Sequence, residues 1–392
     1  MDATIPSKDK VEELLAWTEK QGRILTCNGK AISFYTAERG YSFKEEELPH
    51  HHLIAQTTES AFSNWASSEK IPNPICGVFY RTLFVGGFEH STDQDEVVFN
   101  VQTNTLFIDM RIPHLGQELL QNVTGFDSMS DSQLRLFARR HAFAGYTRLN
   151  HEHGRPVCTR HHCIDWNFVG VPRPRPNKWY IEMNSDGNTW KEWAYAKDDF
   201  QQHYYWEQWQ RSKRDGNGNG LVLALRKVKT KNDDRDGIIV IVGDHFNYIL
   251  GRHLTGNETE YNQSSTVNLV DEAIKNGDRQ TAEAYLSIDG GHGIVSNGCK
   301  IDCALQHWKE GTPLADVCFG KTWDVITDKN GISIQGGHYE NSIKWDIIES
   351  NALCTSDIAT VFVSRPCISD EKLNRVLFGT IGKKRDAQPL QK

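Results

Sequence analysis

The chain has 392 residues, enough for roughly two domains of ordinary size or one large β domain. Its formal charge of −7, with no long basic block, excludes a general binder of phosphate backbones, and the run Gly382-Lys383-Lys384-Arg385 reads as a solvated tail. Apolar residues make up 38% of the chain, much of it as 11 Trp, 12 Tyr and 17 Phe; nine scattered Cys without a CxxC pair, no apolar leader and no long apolar run imply a cytoplasmic protein with no signal peptide and no membrane span.

In chain order, Ser7 caps a helix from Lys8 to about Lys20, with Val11, Leu14, Leu15 and Thr18 on one face and Gly22 as its stop. A short helix from Glu59 to Ser67 follows, and Pro72-Asn73-Pro74 ends an N-terminal helical extension over 1–75. His50, His51 and His52 read as solvated. From Cys76 the apolar period becomes two, predicting strands at Gly77 to Phe84, Glu96 to Val101 and Thr105 to Ile112. In the third, Leu106, Ile108, Met110 and Ile112 share one face. Phe107, Asp109 and Arg111 share the other, where an acid and a base one alternation apart suit a solvated or ligand-facing surface.

Ser130 is placed to cap a helix from Asp131 to His141, inside an insertion over 114–160. Strands are then expected at Cys163 to Val169, Trp179 to Met183, Thr189 to Tyr195, His203 to Arg211, Leu221 to Val228, Gly237 to Val242 and Phe246 to Leu250. A helix near Asn268 to Asn276 precedes further strands at Ala282 to Ile288, Cys299 to Ala304, Lys321 to Ile326 and Ser342 to Ile348. Residues 366–392 form a tail with one weak helix. Many short strands with tight turns predict a mainly β chain of antiparallel barrels, and no GxGxxG or P-loop follows any strand.

The segments VVFNVQTNTLFIDMRIP (98–113), TWKEWAYAKDDFQQHYYWEQWQ (189–210), LVLALRKVKTKNDDRDGIIVIVGDHFNYILGR (221–252), AEAYLSIDG (282–290), LQHWKEGTPL (305–314) and KTWDVI (321–326) together, in this order, resemble the Hri family of fungal proteins. The resemblance implies two calycin- or lipocalin-like barrels, the first over 76–253 with the insertion 114–160, the second and smaller over 266–350. It implies a fold and no catalytic residues. This chain departs from the family's compact form in residues 1–70, in the insertion, and in the His/Cys/Arg-rich stretch that follows.

That stretch, RRHAFAGYTRLNHEHGRPVCTRHHCIDW (139–166), holds the densest set of ligand-like side chains. Cys158, His161, His162 and Cys163, with His151 and His153 nearby, are groups zinc accepts, but the spacing fits no zinc pattern and adjacent His161 and His162 point to opposite faces of a strand; no metal and no cofactor is expected. Alternation puts His161, Cys163 and Asp165 on one face and His162, Ile164 and Trp166 on the other, so His162 points into the barrel, either as a proton carrier or as a core histidine bonded to backbone. Arg160 and Arg139-Arg140 can meet an anion at the rim, or pair with the chain's excess carboxylates. On the strand 203–211, Tyr205, Glu207 and Trp209 share a face, and a carboxylate among rings is expected to have a raised pKa.

Three readings follow. The first is a barrel that binds a small, partly apolar molecule through Arg111, Arg160, His162, Tyr205, Glu207 and Trp209. The second is a cofactor-independent lyase, isomerase or cyclase in which His162 and Glu207 exchange a proton with the ligand. The third is a protein-interaction module docking through its N-terminal helices and charged tail. None involves nucleic acid or a membrane.

Overall fold

The computed structural model describes residues 75–86, 90–92, 96–113, 120, 122–152, 155–169, 177–185, 187–196, 199–216, 220–230, 233–253, 264–329, 331–337, 342–352 and 354–363, with short backbone pieces at 23–25, 31–33 and 388–389. The expected helices from Lys8 and from Glu59, and the expected helix after Pro366, lie outside them. The chain is mainly β, with a closed eight-strand antiparallel barrel and a second antiparallel sheet.

The barrel is an up-and-down meander. β1 (Gly77–Gly86), β2 (Glu96–Gln102) and β3 (Phe107–Pro113) pair in succession. A short helix, α1 (Asp131–Phe137), then leads into β4 (His141–Glu152), β5 (Arg155–Asp165), β6 (Asn177–Met183), β7 (Thr189–Ala196) and β8 (Asp199–Arg211). Each strand pairs with its neighbour in sequence, and β8 pairs back onto β1 from Tyr205↔Gly86 to Arg211↔Phe79. A short ninth strand, His90–Thr92, pairs with β1 at Leu83–Val85. One end is shut by Arg211, which spans Asp215 Oδ2 (2.5 Å) and the Cys76 carbonyl (3.1 Å), and by Gln102, which donates to the Ile75 carbonyl.

The insertion expected over 114–160 therefore includes barrel wall from His141 onward. Its helix is capped as expected, Ser130 and Gln133 forming a reciprocal capping box, but it ends at Phe137 and not at His141. The β4–β5 hairpin that follows supplies two of the eight staves. The hairpin is hard to read as β because its inner face is polar, and because a bulge between Ala144 and Gly145 breaks the alternation on β5. The bulge needs glycine: a Cβ on Gly145 would stand 1.9 Å from the His161 carbonyl oxygen.

The second sheet has the same winding with one seam open. β9 (Val222–Lys227), β10 (Gly237–Val242) and β11 (His245–Leu250) are followed by helices α2 (Thr266–Lys275) and α3 (Arg279–Tyr285). β12 (Asp289–Ile294), β13 (Lys300–Ala304), the helix α4 (Leu314–Cys318), β14 (Trp323–Asp328), β15 (Gly331–Gly336), β16 (Ile343–Ser350) and α5 (Thr355–Phe362) complete it. The strand order is β13-β12-β11-β10-β9-β16-β15-β14. Between β13 and β14, where closure would fall, the chain runs through α4, which buries Leu314, Ala315 and Cys318.

Two placements differ from expectation. Strands over 222–250, assigned to a first barrel ending at His253, hydrogen-bond within the second sheet, so the sheets divide after Arg211. Ala282 to Ile288, expected as a strand, begins in helix α3: Asp278 caps it by accepting from Thr281 N, and Ala282 and Tyr285 then fall on one buried face. β12 was concealed by its glycines; a Cβ on Gly293 would come within 2.1 Å of the Lys300 carbonyl oxygen on β13.

Besides a smaller cluster inside the barrel (Phe79, Val98, Cys158, Trp179, Trp190 and Trp209), two apolar cores result. One joins the outer face of the barrel (Ile108, Met110, Ala142, Ala144, Ile164, Trp166) to the second sheet (Ala224, Ile238, Val240, Ile249) and to α2 and α3. The other fills the second sheet, where Leu223, Ile239, Phe246 and Trp345 meet α4 and α5. Polar ties cross between the sheets: Asn104 and Thr105 donate to the buried Glu349 carboxylate at 2.9 and 2.7 Å, and His292 stacks on Phe99 at 3.7 Å. Among the described residues no helix is long and apolar enough to cross a membrane.

Candidate functional site

Because Ile108 and Met110 face the second sheet, alternation turns Phe107, Asp109 and Arg111 into the barrel. All three are buried, so the face expected to be solvated or ligand-facing is an enclosed one. Arg111 reaches past two strands to Glu207 on β8 (3.2 Å) while its Nε bonds Asp109 (3.0 Å). Arg160, on β5, crosses β4 to reach Asp109 (3.2 Å) and Gln102 (3.4 Å), and Arg81 donates to Glu207 at 2.6 Å. The interior thus carries a layer of charges linked across its width, the arrangement in which buried ions are tolerated. Below it lie rings. Trp190 and Trp209 stack at 5.6 Å, Phe79 meets Trp190 edge-on at 5.5 Å, and the Arg160 guanidinium lies 4.3 Å from the Phe107 ring centre and 4.9 Å from that of Trp179.

Glu207 behaves differently from the expectation of a carboxylate raised by surrounding rings. Burial does push it up, but Arg111 and Arg81 outweigh burial, and a hydrogen bond from Glu192 adds to them; the net result is a pKa lowered to about 2. The raised group is Glu192, a residue that sequence reasoning passed over. It faces Glu207 directly across the β7–β8 ladder, and burial first, then the Glu207 charge, push its pKa well above the usual carboxylate range. Two carboxylates in contact out of water cannot both ionise, so the pair shares one proton, held on Glu192. A signal for this was present in the mirrored patterns Trp190-x-Glu192 and Glu207-x-Trp209, which become cross-strand Trp–Trp and Glu–Glu pairs once β7 and β8 are in register.

His162 does point inward, though by a different route than expected. The bulge puts Ile164 and Trp166 with Cys163 in the inter-sheet core, so the predicted sharing of one face by His162, Ile164 and Trp166 fails. Inside, His162 stacks on Phe143 at 4.3 Å and its Nδ1 lies 2.6 Å from Asp165 Oδ2. Asp165 in turn accepts from Asn167 N. His161 faces outward and stacks on Tyr146 at 4.8 Å. Cys158, on the inner wall, and Cys163, in the inter-sheet core, therefore do not converge with the histidines, and among the described residues no group of three or more His, Cys, Asp or Glu is placed to hold a metal ion.

Of the residues predicted to bind ligand, Arg111, Arg160 and Trp209 line the interior together with Glu207 and His162. Arg160 is within the barrel and not at its rim. The side chain of Tyr205 lies outside the described residues. Arg139 and Arg140 are structural: Arg139 pairs with Asp271 on α2 (3.6 Å) and Arg140 donates to the Leu305 carbonyl.

Several buried polar atoms of this inner wall have no hydrogen-bond partner in the protein: both amide atoms of Asn100, the indole nitrogens of Trp179, Trp190 and Trp209, Arg160 Nε, and Oε2 of Glu192 and of Glu207. An unmet buried polar group costs about 1–3 kcal/mol. Buried polar groups are seldom left without a partner, whether protein or ordered water.

The chain matches no family model and no curated protein. Among solved structures it is similar to the crystal structure of an uncharacterized protein, YLR301w, from Saccharomyces cerevisiae, at 12% identity and a TM-score of 0.35, over 70% of this chain and 98% of that one. At that score the likeness carries no weight for fold or function.

Proposed function

We propose that this is a calycin-like, cytoplasmic protein of the Hri type whose first barrel binds a small molecule that is apolar at one end and polar at the other. The observation that carries the reading is the set of unmet polar atoms at Asn100, Trp179, Trp190, Trp209 and Arg160, all on one enclosed wall with stacked rings beside a charged layer. Pockets for small molecules combine such an apolar lining with a few placed polar groups. The up-and-down order of β1 to β8, and the same order in the second sheet, support the calycin-like assignment. The free thiols at Cys76, Cys158, Cys163, Cys299, Cys303, Cys318 and Cys354 support a reducing compartment.

Native mass spectrometry of protein purified from its own cells tests this. A mass above that of the chain, lost on denaturation and reduced in an Arg160→Met variant, is expected. A chain of bare mass, together with no change in tryptophan fluorescence across a library of small metabolites, would count against binding.

A second reading, a cofactor-independent lyase or isomerase, rests on the proton shared by Glu192 and Glu207 and on the His162–Asp165 pair. In it Glu192 is the acid, because Glu207 is held ionised by two guanidiniums. Incubating the copurified ligand with protein in deuterium oxide separates the two readings. Incorporation that Glu192→Gln abolishes indicates catalysis, and none indicates a binder.

A further inference from the structure

Two buried histidines lie where the first barrel meets the second sheet, apart from the site described above. His292 on β12 stacks on Phe99 of barrel strand β2 at 3.7 Å. Its Nδ1 donates to Asn247 Oδ1 on β11 (2.8 Å), and the Asn247 amide nitrogen donates in turn to the Ile108 carbonyl of barrel strand β3 (3.2 Å). His245, whose ring centre is 5.4 Å from that of His292, sets its Nε2 2.9 Å from the Lys213 carbonyl and 3.1 Å from Ser212 Oγ, in the link that leaves β8. A carbonyl only accepts, so Nε2 carries the proton of the neutral ring, and Nδ1 is left buried with no partner among the described residues. A second proton on His245 would be a donor with nothing to accept it. The acids that face His245 are committed elsewhere: Asp244 to Arg214 and to Ser296 N and Oγ, Asp215 to Arg211, and Asp302 to Asn297. Around His292 stand Phe99, Asn247, the Phe246 carbonyl, the Cys303 thiol and His245, none of them anionic. Burial first, then the charge of His245, holds His292 well below the usual histidine range, and burial holds His245 below it against the pull of the Lys213 carbonyl and then of Asp244 and Asp215.

We propose that His245 and His292 form an acid-released latch: as neutral rings they hold the link 212–216 and strand β2 against β11 and β12, and their protonation lets this end of the junction part while both sheets stay folded. Each ring makes its contact across the junction, His292 to Phe99 and His245 to Ser212 and Lys213, so parting hydrates the rings without breaking a strand ladder. The apolar core between the sheets lies on other residues, which keeps the release local. The open form takes up protons at the ordinary histidine value of about 6.5, the closed form only at lower pH. The closed form is therefore favoured above about pH 6.5 and loses ground as pH falls below it. From pH 7.5 to 5.5 each histidine that stays neutral when closed raises the open population about tenfold, and the two together about a hundredfold. The Glu192–Glu207 pair stays enclosed in the barrel in both forms and adds nothing to this change.

Amide hydrogen exchange of the full chain at pH 7.5, 6.5 and 5.5 tests this, expressed as protection factors so that the intrinsic pH dependence of exchange cancels. The Asp244 amide, which bonds the Arg214 carbonyl across the link at 2.9 Å, should lose protection about a hundredfold over that range, while the barrel ladder over Trp179–Met183 keeps its own. His245→Gln and His292→Gln each keep a donor for the same acceptor without a ring that titrates, and each should reduce the loss to about tenfold. An equal loss over Trp179–Met183 would mean unfolding of the whole chain, and a hundredfold loss unchanged in both variants would place the titrating groups elsewhere. Either result, or protection at Asp244 that does not fall, would overturn the proposal. If a variant fails to fold, nitrogen NMR of the histidine rings in the unaltered chain decides: both rings neutral at pH 5.5 in the folded protein supports the latch, and ionisation of either near pH 6.5 in the folded protein overturns it.

Discussion

If one proton is shared between Glu192 and Glu207, replacing either with glutamine must change how stability depends on pH, in two distinguishable ways. In the unfolded chain both carboxyls ionise above their ordinary values, whereas the folded interior keeps one proton. The folded state then binds one proton more than the unfolded state, and stability falls with rising pH by about 1.4 kcal/mol per unit. This contribution is fully present below the unfolded carboxylate value and is lost as pH climbs toward the raised value of Glu192. Glu192→Gln removes the slope without removing a charge, because the amide can donate to Glu207 as the acid does. It should match the parent near about pH 5 and gain about 1.4 kcal/mol per unit above that, for as long as Glu192 holds its proton in the parent. Glu207→Gln also removes the slope, since Glu192 is then free to ionise beside Arg111 and Arg160, but it starts lower. Two charge-assisted bonds, from Arg81 at 2.6 Å and Arg111 at 3.2 Å, become bonds to a neutral amide. The loss is about 2–3 kcal/mol near pH 5, narrowing as pH rises. Urea unfolding at several pH values measures both variants against the parent. A Glu192→Gln variant that is destabilised throughout, with the parent's slope intact, would refute the shared proton.

Other outcomes follow from the fold. Gly145→Ala places a methyl group against the His161 carbonyl and should cost about 3 kcal/mol in urea unfolding; a loss under about 0.5 kcal/mol would mean the β5 bulge is not held as described. Ser130→Ala should cost about 1 kcal/mol, and no further loss should follow when Gln133→Ala is added, since each half of the capping box depends on the other. Burial pushes the thiols of Cys158 and Cys163 up to about 12 and about 11, so a thiol reagent should modify exposed Cys354 in the native protein well before either.

How much of this could be read from the chain depended on where polar residues sit. In β3 the alternation of Ile108 and Met110 with Asp109 and Arg111 is regular, and the strand and its two faces were legible. β9 and β10 are runs of Leu, Ile and Val with clear turns between them, but a continuous apolar run does not say which sheet it joins, so 222–250 was assigned to the wrong one. The β4–β5 hairpin was hidden because it breaks two rules at once. Of its inward residues Arg160, His162 and Asp165, only His162 is expected inside from the sequence, and its bulge puts Cys163 and Ile164 on the same side. Glu192 was missed because its chemistry belongs to a pair. Nothing in Trp190-Lys191-Glu192 is unusual until the register sets it against Glu207. Helix α3 was mistaken for a strand because Ala282 to Ile288 satisfies both periods, and only the Asp278 cap favours the helix.

The central claim is that the wall lined by Asn100, Trp179, Trp209 and Arg160 surrounds a bound molecule and is not merely packed on itself. A crystal structure of protein purified from its own cells, at a resolution that shows ordered water, tests this most directly. The account predicts density inside the first barrel within hydrogen-bond distance of Asn100 and Arg160 Nε, lying against the Trp190 and Trp209 rings. An interior with no density, in which those polar atoms instead bond one another and the rings close over the gap, would contradict it.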